Sequence, residues 1–410
     1  DKEGRLLARI TSDFTDKVTL CGYEIVLYRP VLRSMYLTTA SKAQFDAMVA
    51  EKEHDTRIDV TCHFGNIHTG AKLQGRGNTS WTEAEKKSFS LRFNRRMPLF
   101  EDATHKNYNL IANAFDRSLL KNLMFNKLAK DAGIPYQPEE ELILLFIDGK
   151  YHGIYTLTTK MTVDSKRIAL SEQDMLFQFD PADGEALIPY TSKYWSGDPF
   201  LNNGAYFELL YPEKAEEETK ELAGKRVQAM IDAIEDTDSD DYLNYIDLDN
   251  MVRFYLIQEI SMNYDAHHRS IYAFFRDGKI YYGPVWDMDL TLGNEFEKYG
   301  MEWTKPEGFY VNQAGIYKAL FEHPDFVARV KELYEKELRE KSYAVLAYAR
   351  EEEARISDDA EFNFREYPQE YKIGVMDYTG DTYNYIDFTD NMLSFFEERL
   401  HWLDQAFSEL

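Results

Sequence analysis

The stretch from Asp247 to Gly293 constrains the fold of this 410-residue chain more than any other, because four recognisable elements follow one another with little chain between them. Leu248, Met251, Val252, Tyr255, Leu256 and Ile260 recur at helical spacing, and Asp247 stands where its side chain caps the first turn. The pattern stops at Asn263, and a polar loop follows, Asn263-Tyr264-Asp265-Ala266-His267-His268-Arg269-Ser270. Next come a strand from Ile271 to Phe275, an Asp277-Gly278 turn and a second strand from Lys279 to Tyr282, the signature of a two-residue hairpin. The chain then delivers Val285-Trp286-Asp287-Met288-Asp289. This order sets out carboxylates as a phosphoryl-transfer site needs them, one Asp for the hydroxyl proton and a later Asp for Mg²⁺.

At 410 residues the chain can bury a large core, in one large domain or two lobes. Its 29 Tyr and 26 Phe suit wide aromatic packing or an exposed binding surface. No apolar run approaches the roughly 18 residues of a membrane-spanning helix. A net charge of −25 argues against a nucleic-acid partner, and requires any bound polyphosphate to meet local Lys, Arg or metal. Cys21 and Cys62, the only cysteines, lack zinc-site spacing; they pair if the chain is secreted, or are two buried thiols. A first residue of Asp rather than Met fits a trimmed chain or a mature secreted form.

Residues 1–70 read as strands with one helical interruption. Strands are expected at Val18–Leu20, Glu24–Tyr28 and Ile58–Phe64, with a short helix from Ser41 to Lys52. Phe89, Leu91 and Phe93 alternate with polar residues as in a half-buried strand. Leu119 to Ala132 forms an amphipathic pattern, capped from Asp116 or Ser118 and closed by Gly133 with Pro135 beyond. A hairpin is expected around Asp148-Gly149. Residues 171–205, rich in Pro and Gly, read as a long excursion, residues 213–236 as a charged helix, and the chain beyond Gln313 as mostly helical, ending in a helix from Asp390 to Phe407. Asp236, Asp238 and Asp240 alternate as in a calcium loop, but Asp241 occupies the position that requires Gly, so a solvated linker is expected.

Asp287 and Asp289 would share a cation if their segment is extended, since alternate residues then face the same way. Asp265 follows the buried helix and precedes Ser270 by five residues, the spacing at which a kinase catalytic loop carries a metal-binding Asn. Ser270 offers an oxygen but is a weaker ligand. His267 and His268 are expected to serve loop hydrogen bonding or packing. In Gly75-Arg76-Gly77-Asn78-Thr79-Ser80-Trp81, the glycines would let the backbone approach a phosphate that Arg76 binds. Lys86 or Lys87 opens the Phe89 strand, where a nucleotide-binding Lys is expected. There is no Walker A motif, kinase glycine loop or Rossmann fingerprint.

These landmarks, with Lys86-Lys87-Ser88-Phe89, Asn109-Leu110-Ile111-Ala112-Asn113, Asp116 to Asn122 and Gly149-Lys150-Tyr151-His152-Gly153-Ile154-Tyr155, resemble the CotH kinase family in order and rough spacing across residues 58–295. The resemblance implies an α+β, atypical protein-kinase-like, two-lobed fold with a β-rich N-terminal lobe and a mainly helical C-terminal lobe. It divides the chain into an N-terminal segment 1–57, a kinase-like core 58–295 and a helical extension 296–410. It implies ATP with Mg²⁺ or Mn²⁺ as cofactor, and a secreted or cell-surface protein bearing a Ser or Thr acceptor as substrate. Asp265 is then the catalytic Asp and Asp287, with Asp289 and Ser270, the metal set. Lys87 would contact phosphate, supported by Arg76 and Asn122. Lys121 stands where the family often has Arg. Ser270 is the departure that points to the first rival, an inactive pseudokinase scaffold. The second rival is an extracellular module that binds glycan or protein through Tyr190, Tyr194, Trp195 and Phe200.

Overall fold

The computed structural model describes residues 16–20, 23–27, 30–101, 104–179, 187–194, 205–267, 270–293, 295–296, 305–313, 315–367, 375–376 and 385–410. A hairpin of β1 (Asp16–Leu20) and β2 (Tyr23–Leu27) precedes the main body. The body begins with β3 (Arg33–Thr39), α1 (Lys42–Ala50), β4 (Arg57–Phe64), β5 (Ile67–Arg76) and α2 (Thr79–Glu83). It continues through β6 (Ser88–Met97), β7 (His105–Ile111), α3 (Lys121–Asp131), β8 (Glu140–Ile147) and β9 (Lys150–Thr159).

Strands β3 to β9 close into a seven-stranded barrel of order β3-β4-β5-β6-β7-β9-β8. Every pairing is antiparallel except the parallel seam of β3 on β8, which removes the open edges. The expected boundary between residues 57 and 58 therefore falls inside a barrel strand. The expected strand at Ile58–Phe64 is β4, and it alternates: Ile58, Val60, Cys62 and Phe64 point inward and are buried. Cys62 is a free thiol, its pKa pushed up to about 12 by burial, while Cys21 lies outside the described residues. Strand β8 instead reads as one apolar run because both faces are covered. Ile143 and Leu145 join the barrel core, while Leu142 and Leu144 join a second core built on helices.

That second core starts from a five-stranded antiparallel sheet, β11-β12-β10-β13-β14. Its members are β10 (Met175–Phe179), β11 (Leu187–Tyr190), β12 (Ala205–Tyr211), β13 (Ile271–Arg276) and β14 (Lys279–Tyr282). The excursion expected over residues 171–205 thus carries two strands, because Met175, Leu176, Phe177 and Phe179 are buried between neighbours on both sides. Helices α4 (Glu217–Glu235) and α5 (Leu248–Ser261) separate β12 from β13. Beyond the short pair of β15 (Glu295–Phe296) and β16 (Val375–Met376) stand α6 (Gly315–Leu320), α7 (Pro324–Leu333), α8 (Arg339–Glu366) and α9 (Tyr385–Glu409). Helix α9 begins five residues before the expected start. The fold is α+β, sheet-rich towards the N-terminus and helical towards the C-terminus.

Helix α5 is the axis of this half. Asp247 caps it as predicted, its carboxylate accepting the Asn250 N–H at 2.9 Å. All residues from Asn250 to Ser261 except Arg253 are buried, as in a helix packed on every side. Glu259 of α5 and Arg399 of α9 are fully buried and pair at 2.7 Å. Arg399 also donates to the carbonyls of Glu259, Pro306 and Gly308, and the Glu259 carboxylate accepts the N–H groups of Tyr310 and Val311. Among the described residues no helix is long and apolar enough to cross a membrane.

Candidate active site

Asp265 lies in the single 3₁₀ turn (Tyr264–His267) that follows α5, just beyond Met262, whose left-handed backbone (φ 51°) ends the helix. Asn263 sets the turn: its Oδ1 accepts the Asp265 N–H at 3.0 Å, and its amide donates to Gln258 Oε1 at 2.7 Å. The segment after β14 is tied alongside. Tyr264 N–H donates to the Leu290 carbonyl at 3.1 Å, and Leu292 N–H to the Ser261 carbonyl at 2.8 Å. Two acidic segments more than twenty residues apart are thereby locked together by backbone bonds.

Asp287 and Asp289 do not lie on the extended segment under which alternate residues would face the same way. Asp287 has φ 60°, a left-handed kink that leaves its side chain exposed while Asp289 turns into the protein. Ser270, also left-handed at φ 54°, donates its hydroxyl to Asp287 Oδ2 at 3.1 Å. Asn122, in the first turn of α3, accepts the Met288 N–H at 2.9 Å and so fixes the kinked segment against the helix.

Two residues absent from the predicted site complete its charge pattern. The Asp116 carboxylate accepts the backbone N–H groups of Ser118 and Lys121 at 3.0 and 2.9 Å, and with them the Ser118 hydroxyl. Lys121 is 4 % exposed and its ammonium donates to the Thr291 carbonyl at 2.8 Å. Burial and the carboxylates of Asp287, Asp265 and Asp116 push the Asp289 carboxyl well above the usual range, and Lys121 opposes them. Asp116 was legible as a cap; its place among the acids was not, because it depends on how α3 meets the segment after β14.

Arg76, at the end of β5, brings the barrel to this cluster. Its guanidinium lies 6.0 Å from the Trp286 ring centre, in the field of Asp287 and Asp289; burial lowers its pKa and the two acids raise it. Arg76, Asn122, Asn126, Glu140, Trp286 and Asp287 line one cleft. Burial pushes the Glu140 carboxyl up to about 7.

Lys87 stands apart. Its ammonium donates to the Trp81 carbonyl and lies 5.5 Å from the Trp81 ring, and its charged neighbour is Glu83 rather than any acid of the cluster. Lys86 is instead buried, with its ammonium on the Ile154 carbonyl at 2.6 Å. Gly75 answers a packing need rather than a phosphate: a Cβ there would sit 2.4 Å from the Trp81 ring. His268, Trp195 and Phe200 lie outside the described residues, as does the side chain of His267. Tyr190 packs edge-on against Phe179, and the Tyr194 hydroxyl donates to Glu322 at 2.8 Å, so both of these excursion aromatics are engaged within the protein.

The donor chemistry fits a divalent cation, since crowded carboxylates raise one another's pKa and a cation relieves their repulsion. Asp265, Asp287 and Asp289 do not bring three ligand atoms within 4.8 Å of one another; the described residues that do so lie elsewhere. One or two carboxylates completed by phosphate oxygens and water is the usual coordination of Mg²⁺ at nucleotide sites. No curated protein matches the chain. The family model described as CotH kinase protein matches residues 73–403, from the middle of the barrel to the last helix, and the chain belongs to the CotH family.

Proposed function

We propose that this protein is a metal-dependent kinase that transfers the γ-phosphate of ATP to a Ser or Thr hydroxyl of a secreted or surface protein. The observation that carries this reading is the gathering of Asp265, Asp287 and Asp289 with Arg76 and Lys121, where the barrel meets the helical half. In this reading the two halves act as the lobes of an atypical kinase. Asp265 accepts the proton of the acceptor hydroxyl and holds that oxygen in line. Asp287 and Asp289 hold Mg²⁺ or Mn²⁺, which supplies charge neutralisation at the transferred phosphate. Arg76 and Lys121 provide the fixed positive charge expected of Lys87, and the cleft beside Trp286 receives the nucleotide.

Thermal unfolding with ATP, with and without Mg²⁺ or Mn²⁺, tests the binding half of the proposal. Wild type is expected to rise in Tm only when nucleotide and metal are both present, and Asp287→Ala to keep its own Tm while losing the rise. An undiminished rise in Asp287→Ala would remove that residue from the metal set. The Ser270 hydroxyl, bound to Asp287 where a kinase carries Asn, favours a second reading, a nucleotide-binding pseudokinase that serves as an assembly scaffold.

A further inference from the structure

We propose that Asp240, His323 and Asp325 form a second, structural metal site that takes Zn²⁺. The acidic linker Asp236–Asp241 fails as a calcium loop, yet its Asp240 meets His323 and Asp325, more than eighty residues on, with one ligand atom from each within 4.8 Å of the others. His323 is 1 % exposed and immediately precedes α7. Its Nε2 stands 2.7 Å from the Ile234 carbonyl at the end of α4. A carbonyl only accepts, so Nε2 carries the proton and Nδ1 keeps the lone pair that a metal needs. A backbone carbonyl orienting the far nitrogen is the arrangement that metal-binding histidines adopt.

Asp325 supplies the independent observation. The Tyr242 hydroxyl donates to Oδ2 at 2.7 Å, while Oδ1 is buried and has no hydrogen-bond partner among the described residues. The start of α7 favours a negative charge at Asp325 but leaves that oxygen unsatisfied. The Tyr242 ring, tilted against the His323 ring with centres 4.3 Å apart, keeps the two ligands in place. Asp240 is exposed and free to rotate onto a cation. Zinc bond lengths of about 2.0–2.2 Å put tetrahedral ligands about 3.4 Å apart, which needs little movement here. One imidazole and two carboxylates suit a borderline first-row cation better than Mg²⁺ or Ca²⁺, which prefer oxygen alone. The site would tie the α4–α5 linker to the start of α7. None of its three ligands lines the cleft that holds Arg76 and Asp287.

The test is calorimetric titration of chelator-stripped full chain with ZnCl₂, with Asp287→Ala/Asp289→Ala as background so that the acidic cluster takes no metal. One equivalent is expected in that background, bound at least tenfold more weakly after His323→Gln or Asp240→Asn, with a Zn²⁺-dependent rise in Tm that both substitutions abolish. Asp240 is exposed, so Asp240→Asn remains informative if His323→Gln does not fold. No bound zinc in the background chain, or unchanged affinity in Asp240→Asn and any folded His323→Gln chain, would overturn the proposal. Equal affinity for Mg²⁺ and Zn²⁺ would overturn the assignment to zinc.

Discussion

Arg399→Met tests whether the buried Glu259–Arg399 pair holds the helix that presents Asp265. The substitution keeps most of the side-chain volume but removes four hydrogen bonds to the Glu259 carboxylate and the Glu259, Pro306 and Gly308 carbonyls. Glu259 would keep the Tyr310 and Val311 N–H groups and the Tyr255 hydroxyl, yet hold an uncompensated charge at 0 % exposure. Removing one partner of such a pair costs about 3–5 kcal/mol. Unfolding entropy of about 2.1 cal/mol/K per residue gives about 0.9 kcal/mol/K for this chain, so Tm should fall by about 3–6 °C. Scanning calorimetry measures the shift, and hydrogen exchange should show faster opening of the α5 amides. Glu259→Gln in the Arg399→Met background should recover part of the loss, since a neutral amide is cheaper to bury than a lone carboxylate. A fall below about 1 °C, or no recovery in the double variant, would refute the reasoning that an unpaired charge is what destabilises the helix.

Other substitutions probe the barrel, the cleft and the site. Gly75→Ala should cost about 1–3 kcal/mol by driving a Cβ against the Trp81 ring and His54, read as a lower urea midpoint. Burial holds the Glu140 carboxyl at about 7 against an ordinary 4.5, so the folded state keeps a proton that the unfolded state has released. Stability from this group therefore falls as pH rises from about 4.5 to 7, and Glu140→Gln should raise Tm over wild type at pH 8 but not at pH 4. Lys121→Met should weaken metal-dependent ATP binding by roughly tenfold or more, whereas Lys87→Met should change it less than about twofold, in an equilibrium binding titration.

Local physics made much of the architecture legible. The Asp148-Gly149 and Asp277-Gly278 hairpins, the Asp247 cap and the buried stripe of α5 each follow from neighbours in sequence. Closure of the barrel does not, because nothing local in Arg33–Thr39 specifies a parallel partner more than one hundred residues away. Strand β5 was hidden by Gly70 and Gly75, whose missing side chains break the alternation; Gly75 makes room for Trp81. At the site, chain order drew attention to Asp265 and Asp287, and backbone bonds hold their two segments side by side. Lys121 and Asp116 became visible only once α3 was packed against the segment after Asp287, since a charge acquires its neighbours from the tertiary fold. The same reason hid the meeting of Asp240 with His323 and Asp325.

The most direct test of the central claim is transfer itself. Purified chain would be incubated with γ-labelled ATP and Mn²⁺ or Mg²⁺, with and without a Ser-rich protein acceptor, beside Asp265→Ala. Label on the chain or the acceptor, dependent on metal and lost in Asp265→Ala while nucleotide binding persists, is the predicted result. Equal labelling by Asp265→Ala, or metal-dependent ATP binding without label on any hydroxyl acceptor, would contradict the claim that this cluster transfers phosphate.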